Sequence, residues 1–346
     1  MVYLKKAKQI YLIILIGLAL SGCDNKKNID VSNIKLNVKI DRFDKDFDSL
    51  NKKPILAQAT LLKNKYGVFY GDFLKTILEE SRINTEDTSY FGLIKQVLAG
   101  QPYQDLKHDV DSIFPDISAQ EASLTEAFKR VKYYFPNKNL PKVYTSFSGF
   151  HTQIAVGDHY IAIGLDMFLG ANSRFYPSLT KLYPRYISRN FRPDNIVPSV
   201  INGLAREDMF PESDSSKTLL SKMIYNGKIL YFMDQILPEV PDSTKIGYTN
   251  AQLNWCNQFK ATIWGYFLDE NLLYESDFNK IQKYLGPAPF TTGLGENNES
   301  SPQLGVWTGW QIVKAYMEKN PHITLSELMY DQDAQKILND SRYRPK

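Results

Sequence analysis

The sequence is short of the residues most enzyme chemistry needs. Across 346 residues there are 4 histidines and 2 cysteines. None of His108, His151, His159 and His322 is followed by glutamate. This excludes the His-Glu-x-x-His helix of a zinc protease, in which positions i and i+4 present two imidazoles from one face and the glutamate handles water. No P-loop and no GxGxxG run is present, and Ser146-Phe147-Ser148-Gly149 lacks the first glycine of a nucleophile elbow. The Asp44-x-Asp46-x-Asp48 spacing suggests a calcium loop, but Ser49 and Ile55 stand where glycine and glutamate are required, so an acidic turn with Phe43 and Phe47 inward is expected. Glu79-Glu80 and Asp331-x-Asp333 fall at expected helix ends, where carboxylates are solvated or capping.

Charge of one sign is also missing once the N-terminus is set aside. Lys5, Lys6 and Lys8 precede an apolar run, Ile10 to Leu20, too short to span a bilayer, and Leu20-Ser21-Gly22-Cys23 resembles a lipobox. Residues 1–22 are therefore expected to be a signal peptide, with Cys23 the lipidated (palmitate-bearing) first residue of the mature chain and residues 23–34 a polar tether. Without those three lysines the 41 basic residues fall to 38 and balance the 38 acidic ones. Nucleic-acid binding loses its electrostatic basis. Cys256 has no cysteine to pair with and reads as a buried small hydrophobe. No later stretch is long and apolar enough to cross a membrane, so attachment is expected through the lipid.

What is present is a chain able to bury a large core, 43% hydrophobic and 13% aromatic. Residues 35–346 read as a single α+β, mostly helical domain. A helical part spans 54–136, strands lie within 141–165, and a second helical part spans 195–340. Apolar period and stop signals predict helices over 54–66, 71–80, 87–98 and 119–134, with a loop around Pro102. A short strand is expected over 35–40, and further strands over 141–147, 151–156 and 159–165 with a turn at Gly157-Asp158. Later helices are expected over 196–210, capped by Asp194 or Asn195, and over 218–237, 249–268, 277–285, 305–319 and 333–339. Thr249-x-x-Gln252 and Thr324-x-x-Glu327 are capping boxes.

Helix, strands, helix, loop, helix is the order of a zincin metalloprotease. In that register Asn202 and Arg206 occupy the i and i+4 positions of the imidazoles, and Asn226, on the following helix, stands where a glutamate ligand belongs. Arg206 puts a cation where the metal would sit, so the expectation is a zincin-like fold with no metal, no cofactor and no catalytic residues, whose groove binds. The groove candidates are Asn202, Arg206, Glu207, Asn226, Lys228, Trp307 and Trp310. Arg206 and Lys228 are expected to make its floor basic, and one indole of Trp307 and Trp310 to serve as an anchor.

Several stretches carry a family resemblance: Ile40-Asp41-Arg42-Phe43-Asp44, Ile163-Gly164-Leu165-Asp166-Met167-Phe168-Leu169, Met223-Ile224-Tyr225-Asn226-Gly227-Lys228, Pro287-Ala288-Pro289-Phe290, and Gly305 to Val313. Together they resemble the gliding motility-associated lipoprotein GldB family of the Bacteroidetes over nearly the whole mature length. The resemblance implies a lipid-anchored envelope protein supporting gliding and the associated type IX secretion and adhesin machinery, with machinery proteins as partners and no known catalytic residues; the Asp24-Asn25-Lys26-Lys27 run, unlike the acidic export signal of surface lipoproteins, makes a periplasm-facing fold the expectation and leaves the inner or outer membrane open. The alternative is an envelope hydrolase with an unrecognised site. The lack of a second histidine near any nucleophile counts against it.

Overall fold

Alternation along two strands sets the architecture of the computed structural model, which describes residues 29–51, 54–77, 90–294 and 298–346. β1 (Ile40–Asp41), β2 (Lys142–Ser146), β3 (Ile154–Gly157) and β4 (Tyr160–Gly164) form one sheet in the order β1-β2-β4-β3. β1, β2 and β4 run parallel, while β3 lies antiparallel at the edge. Successive side chains of a strand point to opposite faces. Tyr144, Tyr160 and Ala162 join one hydrophobic cluster, and Val143, Ile161 and Ile163 join the other. With apolar residues at both parities, every position of β4 is buried. A sheet of this kind needs helices on both faces.

The first face is covered by α1 (Phe43–Asp48), α2 (Ile55–Tyr66), α3 (Val68–Ile77) and α4 (Phe91–Ala99). Phe43 meets Phe69 and Phe73 edge to face at 4.9 and 4.7 Å, and Phe69 packs at a tilt on Tyr144 of β2 at 4.9 Å. The acidic stretch is thus a helix, not a turn, with Phe43 and Phe47 inward as expected. Arg42 grips the buried Asp44 carboxylate with Nε and Nη2 at 2.9 and 2.7 Å and donates to the Phe114 carbonyl, while Thr145 of β2 donates to Asp44. That clamp fastens α1 to the sheet.

The second face is covered by α5 (Gln101–Ile113), α6 (Ser118–Tyr134) and the C-terminal helices. A loop was expected at Pro102; instead Pro102 sits in the first turn of α5, where a missing N–H costs nothing. The strand expected over 35–40 contracts to β1. Glu79, Glu80 and the first residues of the expected 87–98 helix lie outside the described residues, as do 1–28 and therefore Cys23.

After α7 (Arg185–Ser188), α8 (Ile196–Gly203) continues as a π-helical turn over Leu204–Met209, closed by Phe210 N–H on the Ala205 carbonyl. Next come α9 (Leu219–Ile236), α10 (Asp242–Ile246), α11 (Asn250–Gln258), α12 (Lys260–Asp269), α13 (Phe278–Ile281), α14 (Leu304–Lys319), α15 (Leu325–Tyr330) and α16 (Ala334–Ser341). Both capping boxes form, though the helix expected over 249–268 breaks into two at Phe259. α9 and α14 cross in near backbone contact: a Cβ on Gly309 would stand 1.9 Å from the Met223 carbonyl oxygen, and one on Gly227 would stand 2.4 Å from Gly309. Residues 34–346 form one compact unit. Among the described residues no helix is long and apolar enough to cross a membrane.

Candidate functional site

The two helices after the sheet bring together three of the sequence-predicted residues. Arg206 donates from Nε to Asn202 Oδ1 at 2.9 Å, one turn back, and from Nη2 to Asn226 Oδ1 at 2.8 Å on α9. Its guanidinium lies 5.5 Å from the Tyr225 ring centre. Asn226 is held by the Lys222 carbonyl, and Asn202 Nδ2 approaches Met233 Sδ at 3.5 Å. Where a metal centre would gather acceptors, this chain has a cation satisfied by two amides. Among the described residues no group of three or more His, Cys, Asp or Glu is arranged to hold a metal ion.

Beside this knot a cleft of about 580 Å³ runs between β3 and α8. Thr152, Gln153 and Ile154 form one wall and Pro198, Ser199, Asn202 and Gly203 the other. The strand at the cleft is β3 and not β4, because β4 lies between β2 and β3. β3 bonds β4 through the pairs Ala155–Ala162 and Gly157–Tyr160, so the backbone groups of Ile154 and Val156 face away from the sheet. Thr152 Oγ1 donates to one of them, the Ile154 carbonyl, at 3.0 Å. Gly203 lets α8 come close, since a Cβ there would be 3.0 Å from Ile154 Cγ2. The two-residue turn after β3 is Asp158-His159, one residue later than expected, and it holds His159 at φ 61 away from the cleft.

Two buried networks shape the cleft. The Asp166 carboxylate, with no exposed surface, accepts from Ser148 N at 2.8 Å, Ser148 Oγ at 2.9 Å and Phe150 N at 2.6 Å. It thereby pins the loop leading from β2 to the His151–Ile154 wall, and burial raises its pKa despite those donors. At the floor, Lys245 Nζ meets Asp234 Oδ1 at 2.7 Å, Trp310 Nε1 donates to Asp234 Oδ2 at 2.9 Å, and Lys314 lies 3.7 Å over the Trp310 ring. Asn195 occupies the cap position of α8 but makes no capping bond. Its Nδ2 goes to the Asn190 carbonyl, and its Oδ1, buried among the cleft residues, has no partner among the described residues.

The remaining candidates are placed otherwise than expected. Glu207 lines the cleft, carried there by the wide π turn that sends its neighbour Arg206 toward α9. Arg206 and Asn226 lie beside the cleft without lining it. Lys228 is buried elsewhere, donating to the Met329 and Asp331 carbonyls at 3.1 and 2.7 Å at the end of α15, and burial pulls its pKa down to about 8. The expected basic floor does not form from these two. Trp307 and Trp310 are 1% and 0% exposed and offer no anchor surface, because α14 is apolar on nearly every side and packs into the core. Cys256 is buried as expected, and burial pushes its thiol up to about 11. Sequence reasoning did not anticipate the walls at Thr152–Ile154, Tyr183–Phe191 and Thr244–Gly247, since none carries a chemical motif.

The geometry alone does not name the protein; a comparison with protein families does. The chain belongs to the family of gliding motility protein GldB, whose model matches residues 24–345. It is thereby a gliding motility-associated lipoprotein by family, with cell-envelope association. No curated protein matches the chain, and no solved structure does.

Proposed function

We propose that this protein is a non-catalytic, periplasm-facing lipoprotein, anchored through Cys23, that supports gliding and the associated type IX secretion and adhesin machinery by holding an extended segment of another envelope protein in the β3–α8 cleft. The observation that carries this reading is a cleft bounded by a free antiparallel edge strand, with the unpartnered Asn195 Oδ1 buried in its wall. An incoming strand supplies the N–H group that such an acceptor lacks and pairs with the outward backbone groups of β3. The arrangement also supports reading the fold as zincin-like without its metal: an edge strand faces the helix bearing Asn202 and Arg206, Asn226 comes from the next helix, and Arg206 fills the space between.

Filling the cleft tests this. Ser199 is a half-buried residue that lines the cleft, so a larger side chain there has the open cleft to enter. Ser199→Trp is expected to abolish partner capture and colony spreading with an unchanged melting temperature. Normal spreading from a stably produced Ser199→Trp protein would remove the cleft from the account.

A further inference from the structure

The stretch that leads into α8 has a solvent side that the cleft does not use. Between Asp166 and Asp194 the chain holds five cations, Arg174, Lys181, Arg185, Arg189 and Arg192, and no acid. Arg174 is taken up by Asp109 at 2.9 Å, and the half-buried Arg189 donates to the Gly247 carbonyl and Gln252 Oε1. Lys181, Arg185 and Arg192 are exposed and meet no carboxylate among the described residues. Tyr183, Ile187, Asn190 and Phe191 of the same stretch line the cleft, and the Tyr183 hydroxyl donates to the His151 carbonyl at 3.1 Å. Leu182 is excluded from that packing. It stands in a turn closed by its own N–H and that of Tyr183 on the Leu179 carbonyl. At 69% exposure it is the most exposed large apolar side chain among the described residues, and Lys181 and Arg185 flank it in sequence.

We propose that this solvent side is a membrane-docking surface, on which Lys181, Arg185 and Arg192 take the phosphates of anionic phospholipids and Leu182 enters the interface between headgroup and acyl chain. An exposed leucine alone needs no explanation. Here apolar surface stands out among unpaired cations, and a bilayer presents the complementary order, acyl carbon behind phosphate. An acidic protein surface would answer the charges but would leave Leu182 without an apolar partner. Lysine and arginine both suit phosphate, arginine through paired N–H groups. The inference rests on the Cys23 anchor of the reading above, because a lipid joined to the fold by the short tether of residues 23–34 keeps these cations beside a bilayer. It does not depend on what the cleft holds.

The test uses the full lipidated chain with an environment-sensitive fluorophore on Leu182→Cys. Cys256 is buried and Cys23 carries the lipid, so the introduced thiol is the one labelled. Leu61→Cys on α2, a site of 59% exposure, is the control. On vesicles of equimolar phosphatidylcholine and phosphatidylglycerol the Leu182 label should shift to shorter wavelength and resist an aqueous quencher, while the Leu61 label reports water. The shift should recede as salt is raised and vanish in the Lys181→Glu, Arg185→Glu, Arg192→Glu variant, whose melting temperature should be unchanged. A Leu182 label that stays in water, or equal shifts at both positions, would overturn the inference. So would an undiminished shift on pure phosphatidylcholine vesicles that the triple variant retains. A Leu182 label in water combined with poor spreading of the triple variant would also overturn it, and would assign the cations to a protein partner. Cosedimentation with the neutral vesicles reports the Cys23 anchor by itself, so loss of the anchor and loss of docking are read separately.

Discussion

The α9–α14 crossing yields the sharpest stability prediction, because the two helices touch through backbone. At Gly309 an added methyl would lie 1.9 Å from the Met223 carbonyl oxygen, 2.4 Å from its carbon and 2.9 Å from its Cα, where ordinary contact begins near 3.4 Å. Relief requires the helices to part by roughly 1.5 Å, and dispersion contacts weaken steeply over such a gap. The residues that would lose packing include Met223, Trp307 and Trp310, all buried. Alanine favours a helix over glycine by about 1 kcal/mol, which the clash must first outweigh. Overpacking plus lost contacts sets the net cost of Gly309→Ala at about 3 to 5 kcal/mol, a large share of a typical stability of about 5 to 15 kcal/mol. The control is Gly265→Ala on α12, where a Cβ meets nothing within 4 Å and a gain of about 0.5 to 1 kcal/mol is expected. Urea unfolding of both variants measures the contrast. A Gly309→Ala protein within about 0.5 kcal/mol of wild type would refute the reasoning.

Asp234→Ala leaves Lys245 buried without its nearest carboxylate and Trp310 without an acceptor, so a loss of about 3 to 5 kcal/mol in urea unfolding is expected. Lys228 titrates near 8 in the fold against 10.5 in an unfolded chain. The unfolded state therefore binds more protons between those values, and the stability of wild type relative to Lys228→Met should rise by about 2 to 3 kcal/mol from pH 8 to pH 10.5. A flat difference across that window would contradict the burial argument. Metabolic labelling with a palmitate analogue should mark the wild-type chain and not Cys23→Ala, and equal labelling of both would end the case for lipidation at that residue.

Much of the fold was legible because it is local. Thr249 and Thr324 announce their helices through capping boxes, and the change to period two locates β2 and β4. The meeting of Asn202, Arg206 and Asn226 was legible too, since i and i+4 share a helix face and the next helix packs alongside. Pro102 misled because proline marks a loop and a first helical turn equally well. Trp307 and Trp310 misled because Leu304 to Trp310, the first two turns of α14, are buried on every side and give no phase from which to tell core from rim. The cleft was illegible for another reason. Thr152, Tyr183, Ser199 and Thr244 are far apart in sequence, individually ordinary, and meet only through tertiary packing. Several stretches behind the family resemblance hold the structure together. Arg42 and Asp44 clamp α1 to the sheet, Asp166 pins a loop, and Gly227 and Gly309 permit a helix crossing.

The central claim is that the β3–α8 cleft holds another envelope protein, and site-specific photocrosslinking in living cells tests it most directly. A photoreactive residue in place of Gln153, in the cleft wall, should capture a discrete envelope protein, and the same residue in place of the exposed Lys95 on α4 should not. Equal capture from both positions, or none from Gln153 in cells that spread normally, would contradict the account.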